Sequence, residues 1–282
     1  MTMFSTMIRP LFKNKKFIIG ISIFLLFLLL GILGPTFYKV DPTEMTWDYE
    51  QPPSVEHPLG TDTYGRDILA QLLHGIRSSL YIGFLAATIS LVLGTIVGSL
   101  SAVKRGIVDD TLMAMTNIVL TTPSILIAIL IASYLRIRSM EAVAVILGLF
   151  QWPWFARAIR AQLMSVTSRE YVYLSIMAGY SDLRLVIEDL LPTIATYAFM
   201  SFVLFINGGI MGEAGLSLIG LGPTRGISLG LMLQWAVLME AVRRGLWWWF
   251  IPPGVAIVAI TASLMVVSTT MDEVFNPRLR EE

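Results

Sequence analysis

Long apolar stretches separated by short charged segments dominate the pattern of this 282-residue chain. A helix needs about 20 apolar residues to cross the roughly 30 Å of membrane hydrocarbon. Charge-free runs of sufficient length occupy residues 17–38, 78–103, 111–135, 190–212 and 245–271. Residues 139–159 form a further candidate, although Glu141 and Arg157 shorten its apolar part. The pattern therefore predicts an all-α membrane protein with six transmembrane helices.

Shorter amphipathic or apolar segments lie between these spans. Residues 67–74 have the spacing of a short interface helix that leads into the second span. Residues 226–239 are apolar but too few to cross a membrane, which predicts an outer re-entrant or interfacial helix.

The connection between the fourth and fifth spans, residues 160–191, predicts a helical hairpin. Residues 161–178 can form one helix that Gly179 ends in the left-handed conformation. Ser181 or Asp182 can then cap a second short helix, which runs to residue 189 and ends before Pro192. An ordinary amphipathic loop remains the alternative at this point.

Lysine and arginine predict the orientation, because they concentrate on the cytoplasmic side of membrane proteins. They are frequent in residues 9–16 and 157–184, whereas acidic residues accompany the cations of residues 39–77. Six spans place both termini on one side, so both are predicted to be cytoplasmic. The first apolar run is longer than a signal-peptide core and lacks a small-x-small cleavage site before Pro35, which favours an uncleaved anchor.

The predicted organisation follows from these assignments. Residues 1–16 form a cytoplasmic N-terminal segment, 17–38 the anchor helix, and 39–77 an extracellular loop with the interface helix. Residues 78–271 form a five-helix core that includes the 160–191 loop, and 272–282 form a cytoplasmic tail.

Composition narrows the chemistry further. The chain is 55% hydrophobic and 14% charged, with 20 basic and 20 acidic residues, so it has no basic field for nucleic acid. No cysteine and only two histidines are present, so ligands for a transition-metal site are poorly supplied. Neither a phosphate-binding Gly-x-x-x-x-Gly-Lys-Ser/Thr loop nor a hydrolase motif occurs. The chain is therefore predicted to be no enzyme and to bind no cofactor.

Four residues in or near the spans are candidates for lining a translocation pathway: Asn117, Asn207, Glu213 and Trp235. Glu213 is the ionisable one, and a carboxylate within a membrane is a functional candidate. It supports an alternative, a stand-alone ion-coupled carrier or channel. The glycines around it leave open that the helix unwinds there instead.

Several segments together carry a resemblance to a known family. The loop before the second span contains His57, Gly60, Asp62, Gly65, Arg66 and Asp67, followed by Gly75, Arg77, Ser79 and Leu80. Further along are Asp110, Pro123, Trp152, Pro153, Arg157, Arg160, Leu216, Ser217, Gly220, Leu221, Gly222 and the run 276–279. In this order and spacing the chain resembles the second-type permease subunit of the dipeptide/oligopeptide/nickel family of binding-protein-dependent ATP-binding cassette importers.

The resemblance implies that residues 160–191 carry the coupling helix, which fits into a cleft of an ATP-hydrolysing subunit. The residues that it assigns to coupling are Glu170, Tyr173, Leu174, Ser175, Gly179, Ser181, Asp182, Leu191 and Pro192. Tyr173, Leu174 and Ser175 stand where the family carries Glu-Ala-Ala, so this acidic-small-small triplet departs from the family motif. The glycine and the Leu-Pro pair of the motif are present as Gly179 and Leu191-Pro192.

The resemblance also implies partners and location. They are a homologous second permease, two ATP-binding subunits that hold ATP and Mg, an extracellular solute-binding protein, and the lipid bilayer of a prokaryotic plasma (inner) membrane. The solute is left open among oligopeptide, oligosaccharide and nickel. Trp235 and residues 247–249 either stack on sugar rings or form an interfacial aromatic belt. A structural subunit that transports nothing is a further alternative.

Overall fold

Ten α-helices carry the part of the chain that the computed structural model describes, residues 10–135 and 138–275. They are α1 (Lys15–Phe37), α2 (Ile68–Lys104), α3 (Gly106–Thr121), α4 (Ser124–Tyr134), α5 (Met140–Val166), α6 (Glu170–Met177), α7 (Asp182–Leu185), α8 (Leu191–Leu218), α9 (Leu229–Leu238) and α10 (Trp247–Phe275). A 3₁₀ turn, Leu11–Lys13, precedes α1. Within these residues the regular secondary structure is helical, and one isolated antiparallel bridge joins Thr61 and Asp67.

Five helices are long and apolar enough to span a membrane, and a bent pair makes the sixth. The five are Lys15–Phe37, Ile68–Lys104, Met140–Thr167, Asp182–Leu218 and Trp247–Phe275. The predicted continuous span 111–135 is instead α3 and α4, which meet at 82°. Pro123 explains the break, since it has no N–H to donate and holds Thr122 in an extended conformation (φ −86°, ψ 130°).

We call the side that carries residues 38–67 the loop side, and the side that carries residues 167–181 the hairpin side. The longest helix, α2, connects them and lies between α5 and α8. A Cβ atom at Gly94 would lie 2.5 Å from Phe155 Cδ1, and one at Gly98 would lie 2.7 Å from the Ala156 carbonyl oxygen. The small side chains of α2 thus allow α5 to approach its backbone closely.

The predicted interface helix at 67–74 is not a separate element. It forms the first turns of α2, whose 37 residues extend about 55 Å and exceed the thickness of the hydrocarbon. Nothing between residues 74 and 78 breaks the helix, because His74, Gly75 and Arg77 are compatible with it even though Arg77 ends the charge-free run.

The predicted helix 161–178 is wrong, because α5 continues to Val166 and α6 starts only at Glu170. The hydroxyl groups of Thr167 and Ser168 donate to the carbonyl oxygens of Met164 (3.0 Å) and Ser165 (2.9 Å). Such local side-chain hydrogen bonds compete with the helical ladder and end α5. The turn after α6 is as predicted: Gly179 has φ +83°, and the Ser181 hydroxyl caps α7.

The second hairpin helix does not stop before Pro192. A π-helical turn, Val186–Leu190, joins α7 to α8, so Asp182–Leu218 forms one span-length helix. The Leu191 N–H donates to the Val186 carbonyl, and this wider turn lets Pro192 enter the first turn of α8, where its missing N–H breaks no intrahelical bond.

The remaining helices were predicted correctly in kind, but two of them end later than predicted. α8 continues past residue 212 to Leu218, so Glu213 lies within a helix and the predicted alternative of unwinding is wrong. α9 confirms the short helix predicted for 226–239, and α10 reaches Phe275, four residues into the predicted tail. Residues 276–282, including the signature run 276–279, and residues 1–9 of the predicted N-terminal segment lie outside the described part.

Candidate functional site

Four loop-side signature residues form a buried polar cluster with Thr61 and Gln71. This loop-side cluster comprises His57, Thr61, Asp62, Arg66, Asp67 and Gln71. Asp62 is fully buried and accepts hydrogen bonds from the Tyr64 and Arg66 N–H groups (2.8 and 3.0 Å), Arg66 Nε (2.7 Å) and Gln71 Nε2 (3.0 Å). A buried carboxylate is stable only when such partners satisfy it. Asp62 therefore organises the turn that precedes α2.

Asp67 attaches this turn to the helix. Its carboxylate accepts from the Ala70 N–H (2.8 Å) and so caps α2, whose N-terminal dipole favours a negative charge. The other oxygen lies 2.9 Å from both His57 Nδ1 and the Tyr38 hydroxyl. Burial, with a further contribution from the hydrogen bond to Asp67, raises the pKa of Tyr38 to about 12. Tyr38 thus remains a neutral donor at physiological pH.

The two signature glycines serve this geometry. Gly60 and Gly65 have φ of +76° and +72°, which side chains rarely adopt. A Cβ atom at Gly60 would also lie 2.8 Å from Trp248 Cδ1. The Trp248 indole N–H donates to the Thr61 carbonyl (3.2 Å), which fastens the start of α10 to the cluster.

Trp235, a predicted pathway residue, covers the same cluster. The Arg66 guanidinium lies 4.2 Å from the Trp235 ring centroid and 5.0 Å from that of Tyr64. A cation–π contact of this kind stabilises a charge that is removed from water. In this structure Trp235 is therefore engaged by Arg66.

Glu213, the second candidate, is fully buried between three elements. Its carboxylate accepts hydrogen bonds from the hydroxyl groups of Ser217 on α8 (2.6 Å), Ser228 before α9 (2.5 Å) and Ser79 on α2 (3.1 Å). The Ser228 and Ser79 oxygens also accept from the N–H groups of Leu231 and Leu229, both at 3.1 Å. Glu213 thus holds the first turn of α9 against α2 and α8.

The other two candidates lie elsewhere. The Asn117 side-chain oxygen on α3 accepts from Arg157 on α5, and Asn207 is half-buried on α8. Asn117, Glu213 and Trp235 therefore have separate sets of partners. Their role in translocation stays a prediction.

On the hairpin side, Arg160 forms a two-pronged ion pair with Asp109, which also accepts from the Ser101 hydroxyl. The resemblance pointed to Asp110, but Asp109 is the buried residue of the two. One residue along a helix changes direction by about 100°, so only one of the neighbouring aspartates can face α2 and α5.

The hairpin itself, residues 167–185, exposes apolar side chains. Leu174 is 67% exposed, Met177 85% and Leu183 70%. Tyr173, the residue in place of the family glutamate, is 55% exposed, whereas Ser175 is only partly exposed. Glu170, Gly179, Ser181, Asp182 and Pro192 are exposed, and Leu191 is half-buried. Most of the predicted coupling residues thus lie on one accessible projection.

Ionic and polar contacts hold the base of the hairpin to the end of α2. Lys104 pairs with Asp182, and the Arg105 guanidinium donates to the Thr167 hydroxyl (3.0 Å). Sequence reasoning did not identify Lys104, Ser228 or Gln71 as site residues, and it marked Ser79 only as part of the family resemblance. Their partners lie from 9 to 134 residues away, beyond the three- or four-residue spacing that a single helix makes readable. Ser217 is different, because its separation of four residues from Glu213 is a readable helical signal.

Comparison with known families decides what this arrangement belongs to. Residues 90–281 match the family described as "Binding-protein-dependent transport system inner membrane component". This chain belongs to that family. Residues 2–53 of the permease also match the N-terminal TM domain of oligopeptide transport permease C.

Curated relatives align with almost the whole length of the permease. A putative peptide transport system permease protein of Brucella abortus is 31% identical over 277 residues, covering 97% of this chain and 92% of its own. The oligopeptide transport system permease protein OppC of Bacillus subtilis is 30% identical, with 95% and 88% covered. The dipeptide transport system permease protein DppC of the same species is 28% identical, with 96% and 85% covered.

Membership confirms the resemblance and the multi-pass inner-membrane character of the permease. It does not favour the stand-alone carrier or channel. Among the described residues no group of three or more His, Cys, Asp or Glu side chains is placed to hold a metal ion.

Proposed function

We propose that this permease forms half of the translocation pathway of an ATP-driven importer of peptides. A homologous second permease supplies the other half, an extracellular binding protein delivers the peptide, and two ATP-binding subunits dock on the hairpin side, which is cytoplasmic with both termini. Support for peptides comes from the relatives, whose names specify peptide, oligopeptide or dipeptide transport.

The exposed apolar surface of the hairpin is the observation that carries this proposal. A projection with Leu174, Met177 and Leu183 in water loses the free energy that their burial would contribute, about 1.5 to 3 kcal/mol for each side chain. Contact with a cleft on another subunit recovers it. Exposed apolar patches of this kind mark interaction sites.

The base of the hairpin supplies the mechanical connection. Through the Lys104–Asp182 pair, a displacement of α7 acts on the end of α2. The pairing of Arg160 with Asp109 connects α5 to the start of α3. When ATP closes the ATP-binding subunits, the hairpins move and these contacts carry the motion into the spans, as a two-state element biased from a remote site. ATP and Mg are held by the partner subunits, and this chain supplies the docking surface.

The tryptophans favour peptides over oligosaccharides. Trp249 is fully buried, Trp248 donates to the Thr61 carbonyl and Trp235 covers Arg66. These three rings already have partners within the chain, so they are poorly placed to stack on sugars. Trp247, which is 51% exposed, is the remaining aromatic candidate. Nickel has no ligand cluster among the described residues to support it.

Reconstitution of the complete complex with its binding protein in proteoliposomes tests the proposal. Loaded binding protein is expected to stimulate ATP hydrolysis with peptides, and not with cello- or manno-oligosaccharides or nickel. Met177→Asp is expected to abolish that stimulation while insertion into the membrane is unchanged. Stimulation by oligosaccharide alone would reject the peptide assignment, and an unaffected M177D complex would reject hairpin docking.

Glu213 separates the importer from the ion-coupled carrier. If it serves as a structural acceptor for three hydroxyl groups, Glu213→Gln keeps an acceptor oxygen and preserves most ATP-dependent uptake, whereas Glu213→Ala destabilises α9. If it carries a coupling ion, E213Q abolishes uptake as completely as E213A does. Uptake driven by an ion gradient without ATP would independently favour the carrier.

A further inference from the structure

A groove of about 590 Å³ opens between α1 and the first half of α2, near the loop side. The turn around Thr43, the start of α5 and residues 226–227 close its loop-side end. This groove lies apart from the hairpin and from the Glu213 site, and nothing in the proposed function uses it.

The lining of the groove changes from polar to apolar along α2. His74 and Arg77 lie nearest the loop side, and Leu80 and Phe84 follow at helical spacing. The antiparallel α1 contributes Leu28 from the deeper part of the membrane. The groove is therefore amphipathic along its length, with its cationic end towards the aqueous phase.

Its length matches one leaflet. From His74 to Phe84 the helix rises about 15 Å, half of the roughly 30 Å hydrocarbon core. The charge-free run of α2 begins at residue 78, so Arg77 lies at the level of the lipid headgroups and Phe84 among the acyl chains.

Arg77, the arginine of the groove lining, has no attractive partner among the described residues. It is exposed and makes no hydrogen bond or ion pair with any residue in 10–135 or 138–275. The nearby acids are engaged: Asp41 accepts from Thr43 and interacts electrostatically with His74, and Glu141 accepts from the Tyr81 hydroxyl (3.3 Å). A cation at headgroup depth is complementary to a phosphate.

We propose that this groove binds a phospholipid of the loop-side leaflet. Its phosphodiester contacts Arg77 and His74, and an acyl chain lies along Leu28, Leu80 and Phe84. A protein segment in the same place would have to supply an acid opposite Arg77, whereas a phospholipid combines the anion and the apolar chain at the required separation.

Native mass spectrometry of the complete complex, purified in mild detergent, tests this site. Wild-type complex is expected to retain phospholipid, and Arg77→Gln to lower retention at least fivefold. Arg225→Gln is the matched control, because Arg225 is exposed on the loop side but does not line the groove. Leu28→Trp, which fills the apolar part without changing charge, is expected to lower retention as well.

Add-back of phosphatidylglycerol and phosphatidylcholine after delipidation identifies the recognised group. Equal binding supports recognition of the phosphodiester, and preference for phosphatidylglycerol supports recognition of an anionic headgroup. The proposal is overturned if R77Q and R225Q retain the same lipid, if L28W retains as much as the wild type, or if wild type binds neither lipid. It is also overturned if R77Q separates the two permeases without changing bound lipid, since the groove would then be a subunit contact.

Discussion

The loop-side cluster and the hairpin differ in which side chains they bury: the cluster buries charged and polar groups, and the hairpin leaves apolar groups exposed. In the cluster, a carboxylate and a guanidinium are buried, and Asp62 accepts hydrogen bonds from Arg66 Nε and Gln71 Nε2. Arg66 Nη2 and Gln71 Oε1 are buried without a hydrogen-bond partner among the described residues. In the hairpin, apolar residues such as Leu174 and Met177 remain exposed, and charged pairs such as Lys104–Asp182 lie at the surface.

This difference separates a region whose buried charges pair within one chain from a region whose apolar side chains that chain leaves uncovered. Removing a partner from the cluster leaves a buried charge unpaired, which lowers the free energy of unfolding. Changing an exposed residue of the hairpin removes few contacts within the chain, so under the proposed function it should weaken association with an ATP-binding subunit and leave stability nearly unchanged. Stability and coupling measurements should therefore respond to opposite sets of mutations.

The largest effect on stability is expected for Asp62→Ala. It removes the acceptor for Arg66 and Gln71 while both remain buried, which should lower the free energy of unfolding by roughly 3 to 5 kcal/mol. Thermal unfolding of the purified protein in detergent measures it. Asp48→Ala is the control, because the Asp48 side chain is 60% exposed. Equal losses in both variants would contradict the burial argument.

Met177→Asp should have the opposite effect to Asp62→Ala: stability should stay nearly unchanged while stimulated ATP hydrolysis falls. With Met177 85% exposed, the stability of the permease should change by less than about 0.5 kcal/mol. Binding-protein-stimulated ATP hydrolysis in the complex should fall more than tenfold, because an aspartate resists burial in an apolar cleft. Val55→Asp provides the comparison at a 99% exposed apolar residue of the other side. Normal stimulation with M177D would show that the hairpin tip makes no essential contact.

Gly179→Ala should give an intermediate effect. Nothing lies within 4 Å of a Cβ atom at this position, so the cost comes from the left-handed backbone alone, about 1 to 2 kcal/mol. Because the turn is local, hydrogen exchange should quicken in residues 170–185 and remain unchanged in α2. Gly254→Ala, which also has open space but an ordinary φ, should leave exchange unaffected. Slower exchange in G179A would contradict the assigned strain.

The smallest effect is expected for the exposed Lys104–Asp182 pair. The two side chains are 51% and 49% exposed, and such pairs contribute about 0 to 1 kcal/mol. A double-mutant cycle of Lys104→Ala and Asp182→Ala measures the coupling energy, in unfolding and in stimulated ATP hydrolysis. A coupling energy in hydrolysis that exceeds the one in unfolding would support the mechanical role. A larger energy in unfolding would place the pair with the loop-side cluster instead.

Much of the fold was readable from the sequence, because the hydrocarbon of a membrane imposes a length and an apolar composition on every span. The six spans, α9 and the left-handed Gly179 follow from such local rules. Whether a helix breaks or continues at a proline did not follow from local rules. Pro123 bends a span, whereas Pro192 is accommodated by a π-helical turn. The outcome at a proline depends on whether neighbouring turns can rearrange.

The sites divide in the same way. The signature from His57 to Asp67 and the position of Glu213 could be marked in the sequence, as could the charge pattern that predicts cytoplasmic termini. Only the tertiary structure decided what these residues contact: Ser79 and Ser228 meet Glu213 from 134 and 15 residues away, and Trp235 covers Arg66. Periodicity along one helix determines which face is apolar, but the partner of a buried polar group is selected by packing between helices, which no local pattern encodes.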